Sequence, residues 1–136
     1  MKAALQFAER WREARTEGAD EALQPYVRDA HRALTARRVD LPGLRVALAE
    51  LLEFLSGSGR TEANCRTVDA FFCLLTAEHS EILDRLPAGW QELVDDLGLD
   101  LAATFEDPER ADRAGASPEK LLERFRALEA GSTKPA

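Results

Sequence analysis

The sequence predicts an all-α protein, a single-domain bundle of six to seven helices that contains no β-sheet. Apolar residues recur at helical spacing along most of the 136-residue chain. The pattern is clearest in the stretch 61–79, where Val68, Phe71, Phe72 and Leu75 fall at positions i, i+3, i+4 and i+7. No stretch alternates apolar and polar residues in the way that half-buried strands do. The stretch 61–79 is therefore expected to be the central helix of the bundle.

Of the predicted helices, three are expected to be long and the rest short; four of them lie in the first part of the chain, where local signals set their ends. Gly18 is expected to stop the first helix. Pro25 suits the first turn of the second, because its missing N–H would have no partner there. Asp40 or Leu41 lies near the cap of the third helix, and Thr61 is expected to cap the fourth by accepting a hydrogen bond from a first-turn N–H. These helices are expected to cover 3–17, 25–38, 41–55 and 61–79.

Shorter helices are expected in the second part of the chain. Ser80 is a candidate cap for a short continuation, Gly98 is expected to stop a helix, and Ser117 precedes the proline that begins the last one. The helical domain is expected to cover 1–130, with a flexible tail at 131–136. The predicted helices are 81–86, 88–97, 107–115 and 118–130, with one or two further turns within 99–106.

Charge is distributed unevenly along the chain. The sequence holds 25 acidic and 18 basic residues, for a net charge of −7, yet residues 1–56 are balanced with nine of each sign. The segment 78–112 holds eleven acidic and two basic residues, for a net charge of −9. The segment 28–45 holds five arginines and two aspartates, for a net charge of +3. Because so many like charges repel one another, we expect the arginines to lie near the acidic segment, in the same chain or in a neighbouring one.

These features predict a non-catalytic cytoplasmic protein that binds other protein chains, as an adaptor or by self-association into a homodimer. No signal-peptide apolar block precedes Glu9, and no apolar run is long enough to cross a membrane. Nucleic acid and membrane are not expected as partners. Trp11 and Trp90 would serve as aromatic anchors if they are exposed. The residues expected at the protein-binding surface are Arg28, Arg32, Arg37, Arg38, Asp95, Asp96 and Trp90.

The segment 107–126 resembles the helix-turn-helix of bacterial transcription regulators, which provides an alternative function. A small residue, Ala111, is followed four positions later by Gly115, and a Ser-Pro cap and an amphipathic helix come next. However, residues 107–129 hold six acidic and five basic residues, whereas duplex binding needs a surplus of cations. The resemblance implies DNA contacts from Ser117, Lys120 and Arg124.

A metal-dependent enzyme is the third possibility. Cys65, Asp69 and Cys73 recur every four residues on one predicted helix, and the only imidazoles are His31 and His79. Closely spaced ligand motifs such as CxxC and HExxH do not occur in the sequence. The two cysteines would lie ~12 Å apart along the helix, too far for a disulfide with each other. We therefore expect both to be free thiols in the core, and we predict no catalytic residue, metal or cofactor.

Overall fold

The computed structural model describes residues 2–98, 101, 103–113, 115 and 117–133, and within these ranges the side chains between 6 and 130. It is 77% helical and no strand occurs among the described residues, which confirms the predicted all-α class. Six helices of the described ranges have ten or more residues, and the three others found there are short. The helices are α1 (Lys2–Ala14), α2 (Leu23–Thr35), α3 (Leu41–Ser56), α4 (Glu62–Glu78), α5 (Glu81–Asp84), α6 (Ala88–Leu97), α7 (Ala103–Glu106), α8 (Pro108–Arg113) and α9 (Pro118–Thr133).

Side-chain caps begin α3 and α4 as the sequence predicts. Asp40 Oδ1 accepts a hydrogen bond from the Gly43 N–H at 3.0 Å. Thr61 Oγ1 accepts one from the Asn64 N–H at 3.2 Å. Each bond satisfies a first-turn N–H that has no partner within the helix. Ser80, in contrast, makes no side-chain cap bond at the start of α5.

The end of α1 differs from its prediction, because the helix stops four residues before Gly18. Side chains of α4 hold the turn that follows. The Thr16 N–H donates to Thr67 Oγ1 at 2.9 Å, and the Asp20 N–H donates to Asn64 Oδ1 at 2.8 Å. These bonds give the backbone of the turn partners outside the helix, so the chain leaves the helical path early.

The end of α9 differs as well, because the helix continues to Thr133. Gly131 is helical rather than a left-handed stop, so α9 includes the first three residues of the predicted flexible tail. Residues 134–136 lie outside the described ranges. The turn expected within 99–106 is present as α7, and residues 99, 100 and 102 lie outside the described ranges.

Buried side chains from all six longer helices form one hydrophobic core. Phe71 lies near its centre, 5.7 Å from the ring of Phe7 and 5.7 Å from the ring of Phe72. The end of α6 approaches α4 so closely that a Cβ on Gly98 would lie 2.9 Å from the Cys73 nitrogen. The core face of α3 is made of five leucines with no exposed surface: Leu44, Leu48, Leu51, Leu52 and Leu55.

The packing order of the helices decides which faces remain open. α3 lies between α2 and α9, while α6 packs against α4, α5 and α9. α2 packs mainly against α3, with smaller contacts to α1 and α4. None of the described helices is long and apolar enough to cross a bilayer.

Candidate protein-binding surface

The outer side of α3 carries an exposed apolar side chain. Val46 is 61% exposed, and among the described side chains it is the one large hydrophobic residue that is mostly exposed to solvent. It follows the buried Leu44 by two positions, which corresponds to a rotation of about 200° around the helix. The leucines that fix the core face of α3 therefore turn Val46 toward solvent.

A shallow groove lies on each side of Val46. The first has a volume of about 410 Å³ and runs between α3 and α9; it is lined by Pro42, Arg45, Val46, Ala49, Glu50 and Glu129. The second has a volume of about 350 Å³ and runs between α3 and α2; its lining includes Asp29 and Arg32 beside Val46. An apolar ridge between two grooves with charged rims has the general form of a protein interface, whose centre is apolar and whose edge is polar. We call this surface the α2–α3 face and define it by Asp29, Arg32, Pro42, Arg45, Val46, Ala49 and Glu50.

The arginines predicted for protein binding lie on α2 or directly after it, and Arg32 is part of the α2–α3 face. Arg28 lies on α2 with its guanidinium 3.8 Å from the carboxylate of Asp29. Arg32, Arg37 and Arg38 are exposed, and none of them forms an ion pair with another described residue. The end of α2 and the residues after it therefore present cations that have no ion pair within the described part of the chain.

Three acidic residues of the segment 78–112 pair with arginines that lie outside 28–45. Arg10 on α1 pairs with Glu78, and Arg66 on α4 lies 3.7 Å from Glu106. Two further pairs, between Arg124 and Asp96 and between Arg45 and Glu129, connect α9 to α6 and α3. Among the described residues, the acidic segment receives no ion pair from the arginines of 28–45. Within the described residues, those arginines therefore do not relieve the repulsion of the acidic segment; relief by a neighbouring chain stays a prediction.

The acidic residues predicted for the same surface lie elsewhere. Asp95 and Asp96 are on α6, which packs against α4, α5 and α9, whereas the predicted arginines are on or after α2. Asp95 is exposed, whereas Asp96 is engaged by Arg124 at 2.7 Å. Trp90 is only 3% exposed and its ring lies 5.5 Å from that of Phe125. Trp90 is therefore a core residue, and the prediction that it anchors a partner is wrong. Trp11 is likewise buried, at 7% exposure.

Residues of the helix-turn-helix-like segment are occupied by contacts within the chain. Ser117 is 4% exposed and caps α9 by accepting from the Lys120 N–H at 3.2 Å. Arg124 donates to the Gly115 carbonyl at 3.0 Å in addition to its pair with Asp96. The Lys120 ammonium lies 3.4 Å from Glu123. α8 packs on α7, whereas α9 packs on α3 and α6, which differs from two helices packed on each other.

The three candidate metal ligands of α4 have different environments. Cys65 is fully buried, and burial raises the pKa of its thiol to about 12, which keeps it protonated and unreactive. Cys73 is exposed, so the prediction that it lies in the core is wrong. Asp69 Oδ1 accepts the Leu101 N–H at 2.6 Å. The described residues contain no group of three or more His, Cys, Asp or Glu side chains placed to hold one metal ion.

His31 lies in the core, beside aromatic rings. It is 4% exposed, with its ring 5.5 Å from that of Phe7 and 5.8 Å from that of Phe71. Burial lowers the pKa of His31 below 6.5, and the nearby His79 lowers it further. His31 therefore packs in the core as a neutral ring among aromatic rings.

The sequence reasoning missed Val46 as a surface residue. A signal was present, because Pro42, Val46 and Ala49 recur at i, i+4 and i+7 and form a second apolar stripe beside the leucines of α3. The more regular leucine stripe predicted only the core face of α3.

No protein-family model matches the chain, and no significant match was found among curated proteins or solved structures.

Proposed function

We propose that this chain is a non-catalytic protein that binds other protein chains through the α2–α3 face. The observation that carries the proposal is the exposure of Val46 between two grooves, beside arginines that have no ion pair in the described part of the chain. An exposed apolar side chain with grooves on both sides offers area that a partner can remove from water. The arginines at the edge supply specificity through charge.

The charge at the edge also affects how fast a partner arrives. Arg32, Arg37 and Arg38 form a local positive region on a chain whose net charge is −7. Such a region attracts an acidic patch on an approaching surface and raises the association rate at low ionic strength. Exposed charge pairs add little affinity, so burial of Val46 supplies the favourable free energy and the arginines orient the encounter.

We place this activity in the cytoplasm. Cys65 and Cys73 are free thiols, and Cys73 is exposed. An exposed thiol stays reduced in the cytosol, whereas oxidising compartments favour disulfides.

Site-specific photocrosslinking tests the protein-binding function. A photoreactive side chain in place of Val46 should form covalent adducts with protein in a lysate of the source organism. The same side chain in place of Glu9, an exposed residue of α1, is the matched control and should form far fewer. The substitution Arg32→Glu should reduce the adducts from position 46 several-fold. Equal yields from both positions, or no adducts at either, would contradict the function.

DNA titration tests the helix-turn-helix alternative. We expect no binding to nonspecific duplex DNA at low salt, because the last helix and its surroundings lack a cationic surplus. Salt-sensitive binding that is lost in Lys120→Glu would favour the alternative. Lys120 is the cleaner position for this test, because a carboxylate at position 124 would face Asp96 and disturb the fold.

A further inference from the structure

We propose that the partner at the α2–α3 face is a second copy of this chain, whose α3 packs antiparallel to α3 of the first across a two-fold axis. This inference rests on the proposed function and names its partner. It follows from the arrangement of the side chains that α3 turns outward. These side chains are Pro42, Arg45, Val46, Ala49, Glu50 and Glu53.

The six outward positions are symmetric about one point of the helix, midway between residues 47 and 48. A two-fold axis that lies between the two helices, perpendicular to both and level with that point, places each outward residue of one copy opposite another of the second copy. Val46 meets Ala49, Arg45 meets Glu50, and Pro42 meets Glu53. Because the axis repeats every contact, each of these pairs forms twice, as an interface that uses the same patch on both subunits requires.

The charges fit this register. Glu50 is exposed and forms no ion pair with any described residue of its own chain. Arg45 lies 3.4 Å from Glu129, and its guanidinium has several N–H groups, so it can serve a second carboxylate as well. Glu53 faces the uncharged Pro42, which avoids a contact between like charges. The register therefore supplies Glu50 with a cation that the described residues of its own chain do not.

The apolar side chains fit it too. Val46 of one copy enters the groove that Ala49 lines on the other, and this happens on both sides of the axis. The single methyl of Ala49 leaves room for the two helices to approach closely. Burial of Val46 then removes the one large exposed hydrophobic side chain of the described residues from water.

A different occupant fits less well. An acidic helix would be attracted by Arg32 and its neighbours on α2, but the outward face of α3 has two glutamates and one arginine. Glu50 and Glu53 would repel such a helix along its length. A surface that carries both signs in a symmetric order is complementary to itself.

Sedimentation velocity on the purified full chain tests this inference. A one-helix contact is smaller than the interfaces of stable dimers. We therefore expect a reversible monomer–dimer equilibrium that appears between about 10 µM and 1 mM. The substitution Glu50→Arg should weaken association at least ten-fold, because it places two cations opposite each other at both contacts. The control Glu9→Arg makes the same change of net charge on α1 and should leave association unchanged.

Mixing complementary variants tests the register itself. Arg45→Glu alone should also weaken association, since the carboxylates at positions 45 and 50 of the two copies then face each other. An equimolar mixture of Arg45→Glu and Glu50→Arg should associate again, because each contact in the mixed dimer regains one cation and one anion. Circular dichroism melts of each variant check that it is folded. Failure of the mixture to associate, or unimpaired association of either single variant, overturns the antiparallel register.

The outcome separates this inference from the function on which it rests. If the wild-type chain is monomeric up to about 1 mM, a second copy is not the partner. The protein-binding function then stands if position 46 still crosslinks to other proteins, and it falls if position 46 crosslinks to none.

Discussion

Cys65 and Cys73 lie eight positions apart on α4 and have opposite environments, one buried and one exposed. Eight residues rotate a helix by two full turns and about 80° more. Val68, Phe72 and Leu75 mark the core direction on the other side of Cys65, so Cys73 points away from the core. A spacing of i, i+4, i+8 therefore drifts around the helix. The spacing of Cys65, Asp69 and Cys73 already implies this rotation, so the prediction that all three share one helix face was too coarse.

Thiol labelling should distinguish the two cysteines. At neutral pH and without denaturant, iodoacetamide should modify Cys73 rapidly and Cys65 only as the chain unfolds. The reason is that Cys65 has no solvent exposure and a pKa raised to about 12, so its reactive thiolate is scarce and inaccessible. Mass spectrometry of digested time points measures both rates. In Cys73→Ala the fast phase should vanish, and labelling of Cys65 at the fast rate would contradict the burial.

His31 should make the stability of the fold depend on pH. Its pKa in the folded chain is lowered from 6.5 by burial, so the unfolded chain binds its proton more readily than the folded chain. The contribution of neutral His31 to the stability of the fold is complete above about pH 6.5. It is lost as the pH falls through the pKa that His31 has in the folded chain. Urea unfolding at a series of pH values should show this loss, and His31→Leu should reduce it. An unchanged pH dependence in His31→Leu would contradict the assignment.

At the scale of the elements, amphipathic stripes and local caps were predictable, whereas contacts between distant elements were not. The limits of α6 match the predicted 88–97, because its apolar spacing and Gly98 are local signals. The turn after α1 depends instead on Asn64 and Thr67, which lie 44 and 51 residues away from the backbone groups that they bind. Pairing at such distances is decided by how helices pack. No window of the sequence contains it.

Asn64 should be among the costly polar residues to replace, because it holds two turns at once. Its Oδ1 accepts from the Asp20 N–H at 2.8 Å and its Nδ2 donates to the Gly59 carbonyl at 2.9 Å. Asn64→Ala leaves both backbone groups without that partner and should lower the free energy of unfolding by about 2–4 kcal/mol. Thr67→Val removes one such bond and should cost about half as much. Urea melts in which the two variants lose equal stability would contradict this difference.

At the scale of the whole molecule, the order of packing decides which charges of the uneven sequence pair with each other. Arginines from α1, α4 and α9 pair with Glu78, Glu106 and Asp96 of the acidic segment, so elements from both ends of the chain contact it. Of the arginines of 28–45, Arg28 pairs with Asp29 and Arg45 with Glu129, whereas Arg32, Arg37 and Arg38 form no ion pair with a described residue. The charge pattern predicted that the arginines of 28–45 would lie near the acidic segment, yet among the described residues it pairs with Arg10, Arg66 and Arg124 instead. The sequence pattern could not identify these pairs, because they depend on which helices are neighbours.

Arg124 should therefore stabilise the whole fold rather than serve as a free surface cation. It pairs with Asp96 at 2.7 Å and donates to the Gly115 carbonyl at 3.0 Å, which connects α9 to α6 and to the turn after α8. Its side chain and that of Asp96 are 31% and 30% exposed, so solvent screens part of the attraction.

We expect Arg124→Leu, which keeps an apolar stem over the neighbouring helix, to lower the free energy of unfolding by about 1–2 kcal/mol. Arg126 provides the control on the same helix, because its side chain is 64% exposed and lies 3.9 Å from Glu53. Arg126→Leu should change stability by less than about 0.5 kcal/mol. Chemical denaturation followed by circular dichroism measures both. Equal effects of the two substitutions would mean that the contacts of Arg124 do not hold the acidic segment to the last helix.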